Sequence, residues 1–346
     1  MKLKDFDYHL PEKLIAQHPC NERDRSRMMV IKRRTEEVEC KIFQDLPEYL
    51  KKDDILVIND TKVMPARLIG KKETGGMIEM LLLSRRCRGF ESLQTWEVLL
   101  RPAKRVSIGT RILFNGECEA RLIDRLSDKK WAVEFRTSNG FDHFLEKYGK
   151  APLPPYIKRN KDNIKSLEDI GRYQTIYAKY PGSVAAPTAG LHFSQNILDS
   201  LKKTGVHIVP VTLHVGYGTF LPIETNIIEK HVMAEEFFEI TKEAADVINE
   251  AERVITVGTT SIRVIESVAD ETGKIKPLSA YTRLFIYPGY RFKRVNGLIT
   301  NFHLPRSSLF LLVCAFAGKG LMINAYNQAI ENRFRFYSYG DCMLIL

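Results

Sequence analysis

The run RVITVGTTSIRVIESVAD, residues 253–270, carries the fold in miniature. RVITVG is a short, nearly unbroken apolar run, the mark of a strand buried on both faces. TTSIRVIESVAD reads as a loop turning into a helix. Between them stand Gly258, Thr259, Thr260 and Ser261. A helix N-terminus with free N–H groups and hydroxyls suits an anion or carboxylate. Plain N-capping by Thr260 or Ser261 is the simpler alternative.

The same alternation spreads outward. Ser194 caps a helix, SQNILDSLKKTG, that stops at Gly205. VHIVPVTLHVG reads as a long strand, and TKEAADVINEAE, SSLFLLVCAFAG and LMINAYNQAIEN as helices. In the first 60 residues, RMMVIKR and DILVIND read as strands, PEKLIAQ and FQDLPEYLKKD as helices. Residues 61–150 differ: short strand-like runs separated by GG, NGE and SDKK turns, with no long helix. That texture fits a small antiparallel barrel or sandwich. The expected architecture is a layered α/β domain built from both chain ends, residues 1–60 and 151–346, with an inserted small antiparallel β-barrel, residues 61–150. APLPPYIKRNKDNIKSLED leads back into the α/β part, its charges pointing to a mobile loop after Tyr156.

Of 346 residues, 44% are hydrophobic, so a real core is expected. No run is long and apolar enough to span a bilayer, and the N-terminus lacks a secretory apolar stretch. A cytoplasmic protein without a membrane partner is expected. Six cysteines are scattered, with no C-x-x-C. No P-loop, no G-x-G-x-x-G after a strand, no G-x-S-x-G and no H-E-x-x-H occur, so no metal is expected. Net charge is +10, which favours a polyanionic partner. Residues 61–150 hold 18 Lys and Arg against 11 Asp and Glu, supplying 7 of that surplus. Arg85, Arg86, Arg88, Arg101, Lys104 and Arg105 are the candidate nucleic-acid contacts.

Three histidines share one setting. His192 ends VAAPTAGLH, His214 ends the strand of VTLHVGYGTF, and His303 sits in ITNFHLPRSS. Each lies where a strand meets a turn, the place where α/β sheets bind ligands. Any one of them alone reads as a packing residue; three together favour a site. Asp60, in VINDTKV, puts a carboxylate at the same edge, or serves only as a turn residue. In LHVGYGTF, Gly216 and Gly218 allow close backbone approach, and Tyr217 and Phe220 suit a cationic ligand.

Taken together, LIAQHPCNERDRSRMMV, VINDTKVMPARL, WEVLLRPAKR, LPPYIKR, RYQTIYA, VAAPTAGLHF, VTLHVGYGTF, VGTTSIRVIES, FIYPGY, LITNFHLPRSSLFLLVCAFAG and RFRFYSYGDCMLI resemble the S-adenosylmethionine:tRNA ribosyltransferase-isomerase family of queuosine biosynthesis, nearly end to end. Where that family usually reads His-x-Met-His-x-Glu, this chain has HVMAEE: His231 and Glu236 match, and Ala234 replaces the second His. The resemblance implies an α/β domain with an inserted β-barrel. It implies transfer of the ribosyl part of S-adenosylmethionine onto 7-aminomethyl-7-deazaguanine at the tRNA wobble position. The ribose rearranges to give epoxyqueuosine, with adenine and methionine released. S-adenosylmethionine is then a co-substrate, and no metal is involved.

That chemistry sets requirements. The sulfonium acidifies the ribose 5′ C–H, so a positioned base is needed. The sulfonium tolerates aromatic or carbonyl neighbours and no Lys or Arg in contact. The methionine carboxylate wants a helix N-terminus or Arg, which nominates Thr259, Thr260, Ser261 and Arg263. Thr188 and Gly190 belong to an uncharged wall for the adenosyl group, with His192 near the reacting atoms. His192, His214 and His303 are the acid–base candidates, and the sequence does not choose among them. A monomer is expected. Two other classes compete: a non-catalytic tRNA-binding module, and another S-adenosylmethionine enzyme such as a methyltransferase.

Overall fold

The computed structural model describes residues 1–87, 93–159, 166–220 and 222–346. Two compact units form: Met1–Lys62 with Pro154–Asn160 and Gln174–Leu346, and Val63–Leu153 with Lys161–Tyr173. The second unit thus takes in a segment that the sequence boundary at 150/151 gives to the α/β part. The loop expected after Tyr156 runs into residues 160–165, outside the described residues.

The first unit carries a nine-stranded mixed sheet. Its spatial order is Leu278–Thr282, Glu236–Ile240, His207–Leu213, Ile55–Asn59, Val254–Val257, Gly297–Asn301, Cys342–Ile345, Arg27–Lys32 and Glu37–Ile42. The four strands from His207–Leu213 to Gly297–Asn301 are mutually parallel. Three of these four are buried at every position. Alternation sends their side chains into two cores. Ile55 and Val57 pack in one with Ile262, Ile265, Phe310 and Ala325 of the helices Gly258–Val268, Ser308–Ala317 and Lys319–Glu331. Leu56 and Ile58 pack in the other with Ile197 and Leu201 of the helix Gln195–Lys203, and with Phe43. The result is a three-layer α/β sandwich.

Helix starts follow local chemistry. Ser194, Thr241 and Ser307 each accept a backbone N–H three residues on, at 3.3, 3.2 and 3.2 Å. The helix Gly258–Val268 starts on Gly258 itself, at φ +88°, with no side-chain cap. Neither Thr260 nor Ser261 caps it, because both already lie inside its first turn. The helices expected near the N-terminus are only 3-10 turns, Glu12–Leu14 and Phe43–Glu48, the second interrupted by Pro47.

The second unit holds a closed six-stranded antiparallel barrel. The strand Leu93–Arg101 shows why: Gln94, Trp96, Val98 and Leu100 are buried and alternate with outward residues. Gly70 makes room inside; a Cβ there would stand 2.6 Å from Ile112 Cγ2 and Phe114 Cε1. Sequence reading misses the helix Phe141–Tyr148, which is short and lies in a β-rich stretch. Its Phe141 and Phe144 pack on Trp96, Phe135 and Phe114. Arg85, Arg86, Arg101 and Lys104 are exposed. Arg88 lies outside the described residues, as does the Arg105 side chain. Part of the barrel's positive charge is met locally, by Arg111 with Glu73 and Glu119 and by Arg136 with Glu134.

One buried carboxylate fastens the last strand. Asp341 accepts from the backbone and guanidinium of both Arg27 and Arg335. Asp341→Ala should therefore cost about 1.5–3 kcal/mol of unfolding free energy, the range for lost hydrogen bonds to a charged group, because Arg27 and Arg335 are a third exposed and stay solvated. Urea melts would show a lower midpoint with unchanged slope; an unchanged midpoint would remove the anchor role.

Candidate active site

Parallel strands place their carboxyl ends at one edge, and the four central strands do so here. Asp60 and Thr61 follow Asn59, His214 follows Leu213, Gly258 follows Val257, and Phe302 and His303 follow Asn301. A narrow cleft of about 50 Å³ opens at this edge. Its wall is Ala185–Ala189, the uncharged run singled out in the sequence, with Val215 and Thr219. Gly258, Thr259 and Thr260 form the helix end, and Thr300–His303 another side. Tyr156, Leu309, Tyr337 and Ser338 complete it. Among the described residues, no Lys, Arg, Asp or Glu lines this cleft.

Several buried polar atoms here have no hydrogen-bond partner among the described residues. Thr260 Oγ1 is one, on a residue 7% exposed. Such atoms are costly unless something else satisfies them. Tyr337 sits at φ +76°, a strained setting for an aromatic residue. Its ring meets Tyr156 edge-on at 3.9 Å, and its carbonyl accepts from Asn301 Nδ2 at 3.0 Å.

The three histidines are not equivalent. His192 ends the 3-10 turn Thr188–His192. Its Nδ1 shares a hydrogen bond with Ser26 Oγ at 2.6 Å, and its ring packs on Phe43. Burial pushes it down to about 4, despite opposing pull from Asp341 and Asn301. It does not line the cleft. His303 does, but burial pushes it down to about 3, with Nε2 against Thr300 Oγ1 at 3.1 Å. His214 stands beside the lining residue Val215 without lining the cleft itself; its partial burial lowers it, with Glu239 pulling the other way. Its Nδ1 meets Thr61 Oγ1 at 2.8 Å, and its ring stacks on Phe237.

Of the other candidates, Thr188, Thr259 and Thr260 line the cleft. Ser261 is turned inward and donates to Val257 O at 2.8 Å, so its hydroxyl is spent on the helix. Arg263 is buried: Nη1 pairs with Glu236 Oε2, Nε donates to Leu284 O at 3.0 Å, and Nη2 has no hydrogen-bond partner among the described residues. The other Glu236 oxygen accepts from Gly216 N at 2.8 Å and Thr219 Oγ1 at 3.1 Å, pinning the GYGTF turn. Gly218 touches Ala234, whose Cβ lies 2.9 Å from where a Gly218 Cβ would stand. Tyr217 lies in this turn without lining the cleft, and the Phe220 side chain is outside the described residues. Gly190 faces Thr175 and the Tyr177 hydroxyl, where a Cβ would collide. Asp60 accepts from Thr212 Oγ1 at 2.6 Å, and burial raises its carboxyl above the ordinary value. Among the described residues, no group of three or more His, Cys, Asp or Glu is arranged to hold a metal. Sequence reading missed Asn301 and Ser183; Asn301 stands two residues before His303, so the strand end itself was the signal. Tyr156, Tyr337 and Ser338 arrive from distant segments and carried no local signal.

The family model described as queuosine biosynthesis protein matches residues 3–345. The chain belongs to the queuosine biosynthesis tRNA ribosyltransferase-isomerase family. A relative from Syntrophus aciditrophicus, named S-adenosylmethionine:tRNA ribosyltransferase-isomerase, is 57% identical over the whole of both chains. One of the same name from Caldanaerobacter subterraneus is 51% identical, again over the whole of both. A solved structure, the S-adenosylmethionine tRNA ribosyltransferase of Thermotoga maritima, is 35% identical. It covers 99% of this chain and 100% of its own, with a TM-score of 0.54. This is an enzyme family, and its members span the barrel as well as the α/β unit.

The buried histidines make an acid-side prediction. Both rings have folded values below the ordinary 6.5, about 4 for His192 and about 3 for His303. The neutral rings' contribution is thus fully present above pH 6.5 and is lost as pH falls toward 4 and then 3, on the order of 3 kcal/mol for His192 and 5 kcal/mol for His303. His192→Gln should flatten the fall in stability between pH 6.5 and 4 by about one proton's worth of slope. Denaturant melts across that range check this; an unchanged slope means His192 titrates normally.

Proposed function

We propose that this chain transfers and isomerises the ribosyl moiety of S-adenosylmethionine onto 7-aminomethyl-7-deazaguanine at the wobble position of tRNA. The product is epoxyqueuosine-tRNA, with adenine and methionine released. The observation that carries the reading is the cleft lining: uncharged among the described residues, with Tyr156, Phe302 and Tyr337 on it. A sulfonium is stabilised by aromatic faces and repelled by ammonium or guanidinium groups. The amino-acid end fits the Gly258–Val268 helix N-terminus, with Thr260 Oγ1 as a hydroxyl in need of a partner. Arg263 acts one step back, holding Glu236 and through it the GYGTF turn. The decisive assay is adenine release from S-adenosylmethionine, dependent on tRNA carrying the 7-aminomethyl base. Methyl transfer to the tRNA, or tight tRNA binding with no adenine released, would overturn the reading.

Thr260→Val keeps the shape of the side chain and removes the hydroxyl. It should weaken S-adenosylmethionine binding by about 1–3 kcal/mol, as for a lost hydrogen bond to a charged group. Calorimetry checks this. Intact cofactor affinity with weaker tRNA binding would instead put nucleic-acid phosphate at this helix end.

The barrel's basic surface is the proposed tRNA contact, on the strength of its charge surplus. Each phosphate neutralised on duplex nucleic acid steepens log Kd against log salt by about 0.9. Replacing Arg85, Arg101 and Lys104 with Ala should flatten that slope. An unchanged slope moves the contact to the α/β unit.

A further inference from the structure

Behind His214 lie two hydroxyls with no role so far. Thr61 and Ser183 are both 0% exposed. Among the described residues, Ser183 Oγ meets only Val215 N at 2.7 Å and Thr61 Oγ1 at 2.8 Å. Thr61 Oγ1 meets only Ser183 Oγ and His214 Nδ1, each at 2.8 Å. A backbone N–H can only donate, so Ser183 accepts from Val215. Its own proton then has one acceptor within reach, Thr61 Oγ1. Thr61 in turn passes its proton to His214 Nδ1. The reverse order would make Ser183 accept twice and leave its proton with no acceptor in a place sealed from water, which buried hydroxyls avoid.

We propose that Thr61 and Ser183 are positioning residues that hold neutral His214 with its proton on Nε2, so that His214 meets the substrate as a hydrogen-bond donor and not as a base. This rests on reading His214 as a residue of the reaction site. The ring is fixed on both faces, stacked on Phe237 at 5.5 Å and lying against Gly182. At Gly182 a Cβ would stand 2.6 Å from three ring atoms, so only glycine fits. Nδ1 is occupied, and no hydrogen bond to Nε2 exists among the described residues. A ring held this way offers one nitrogen, and that nitrogen already carries a proton.

Charging the ring would require a proton on Nδ1. Both hydroxyls would have to reverse, stranding the Ser183 proton. The relay therefore opposes the imidazolium, in the same direction as burial. Glu239 acts against them, and Asp60, next to Thr61 in the chain, is committed to Thr212. The Nε2–H can stabilise charge developing on an oxygen or nitrogen in the transition state. The proton taken from carbon must then go to a different group.

Nitrogen NMR of the full chain labelled with ¹⁵N-histidine reads the tautomer directly, with the His214 signals assigned by their loss in His214→Gln. At neutral pH the wild type should show a protonated, pyrrole-type Nε2 and a pyridine-type Nδ1. Thr61→Val should mix or reverse the tautomers and lower kcat by about tenfold or more. KM for S-adenosylmethionine should be little changed, and Thr61→Ser should restore both readouts. A proton on Nδ1 in the wild type overturns the proposal, and that spectrum decides even if Thr61→Val does not fold. If Nε2 carries the proton but His214→Gln turns over within a few-fold of wild type, the tautomer stands and the donor role falls.

Discussion

Burial of the central parallel strands on both faces constrains everything else in this fold. Ile55–Asn59, Val254–Val257 and Gly297–Asn301 are enclosed at every position and carry no ionisable side chain along their length. Ionisable chemistry is driven to the strand ends, and parallel alignment puts those ends at one edge. Thr61, His214, Gly258–Thr260 and Asn301–His303 come together there though spread over more than two hundred residues of chain.

Charge in this unit is kept behind the cleft. Glu236 and Asp341 each take several donors, as does Glu266, which accepts from the backbone of Lys293, Arg294 and Val295 and from the Tyr290 hydroxyl. Each carboxylate buys a fixed loop or strand while keeping its charge off the lining. Arg263 illustrates the arrangement. It is in the segment expected to bind the cofactor, yet two of its guanidinium nitrogens are held by Glu236 and Leu284, and Nη2 alone is unpaired among the described residues. Among the described residues the cleft lining is left neutral, with aromatic rings and an unpaired Thr260 hydroxyl, as the proposed cationic co-substrate requires.

Much of this was legible beforehand, because periodicity and turn chemistry are local. The change of period at Val257–Gly258 gave the strand–helix junction, and the alternation in LQTWEVLLR fits a barrel wall. What was not legible is how each side chain turns. Nothing in GTTSIR says that Ser261 folds back on Val257 while Thr260 stays unpaired. Nothing in TAGLH says that the 3-10 turn carries His192 onto Phe43 and Ser26 instead of the cleft. Those outcomes depend on residues from elsewhere in the chain. The same holds for Tyr337, whose position depends on Tyr156 and Asn301.

The most direct measurement is a crystal structure of the full chain with S-adenosylmethionine bound. The expected density lies in the cleft, with the methionine carboxylate within hydrogen-bonding distance of the Thr259 or Thr260 N–H or the Thr260 hydroxyl. The sulfonium should face aromatic or carbonyl groups, with no Lys or Arg in contact. Cofactor seated outside this cleft, or a sulfonium against a basic side chain, would contradict the assignment of the site.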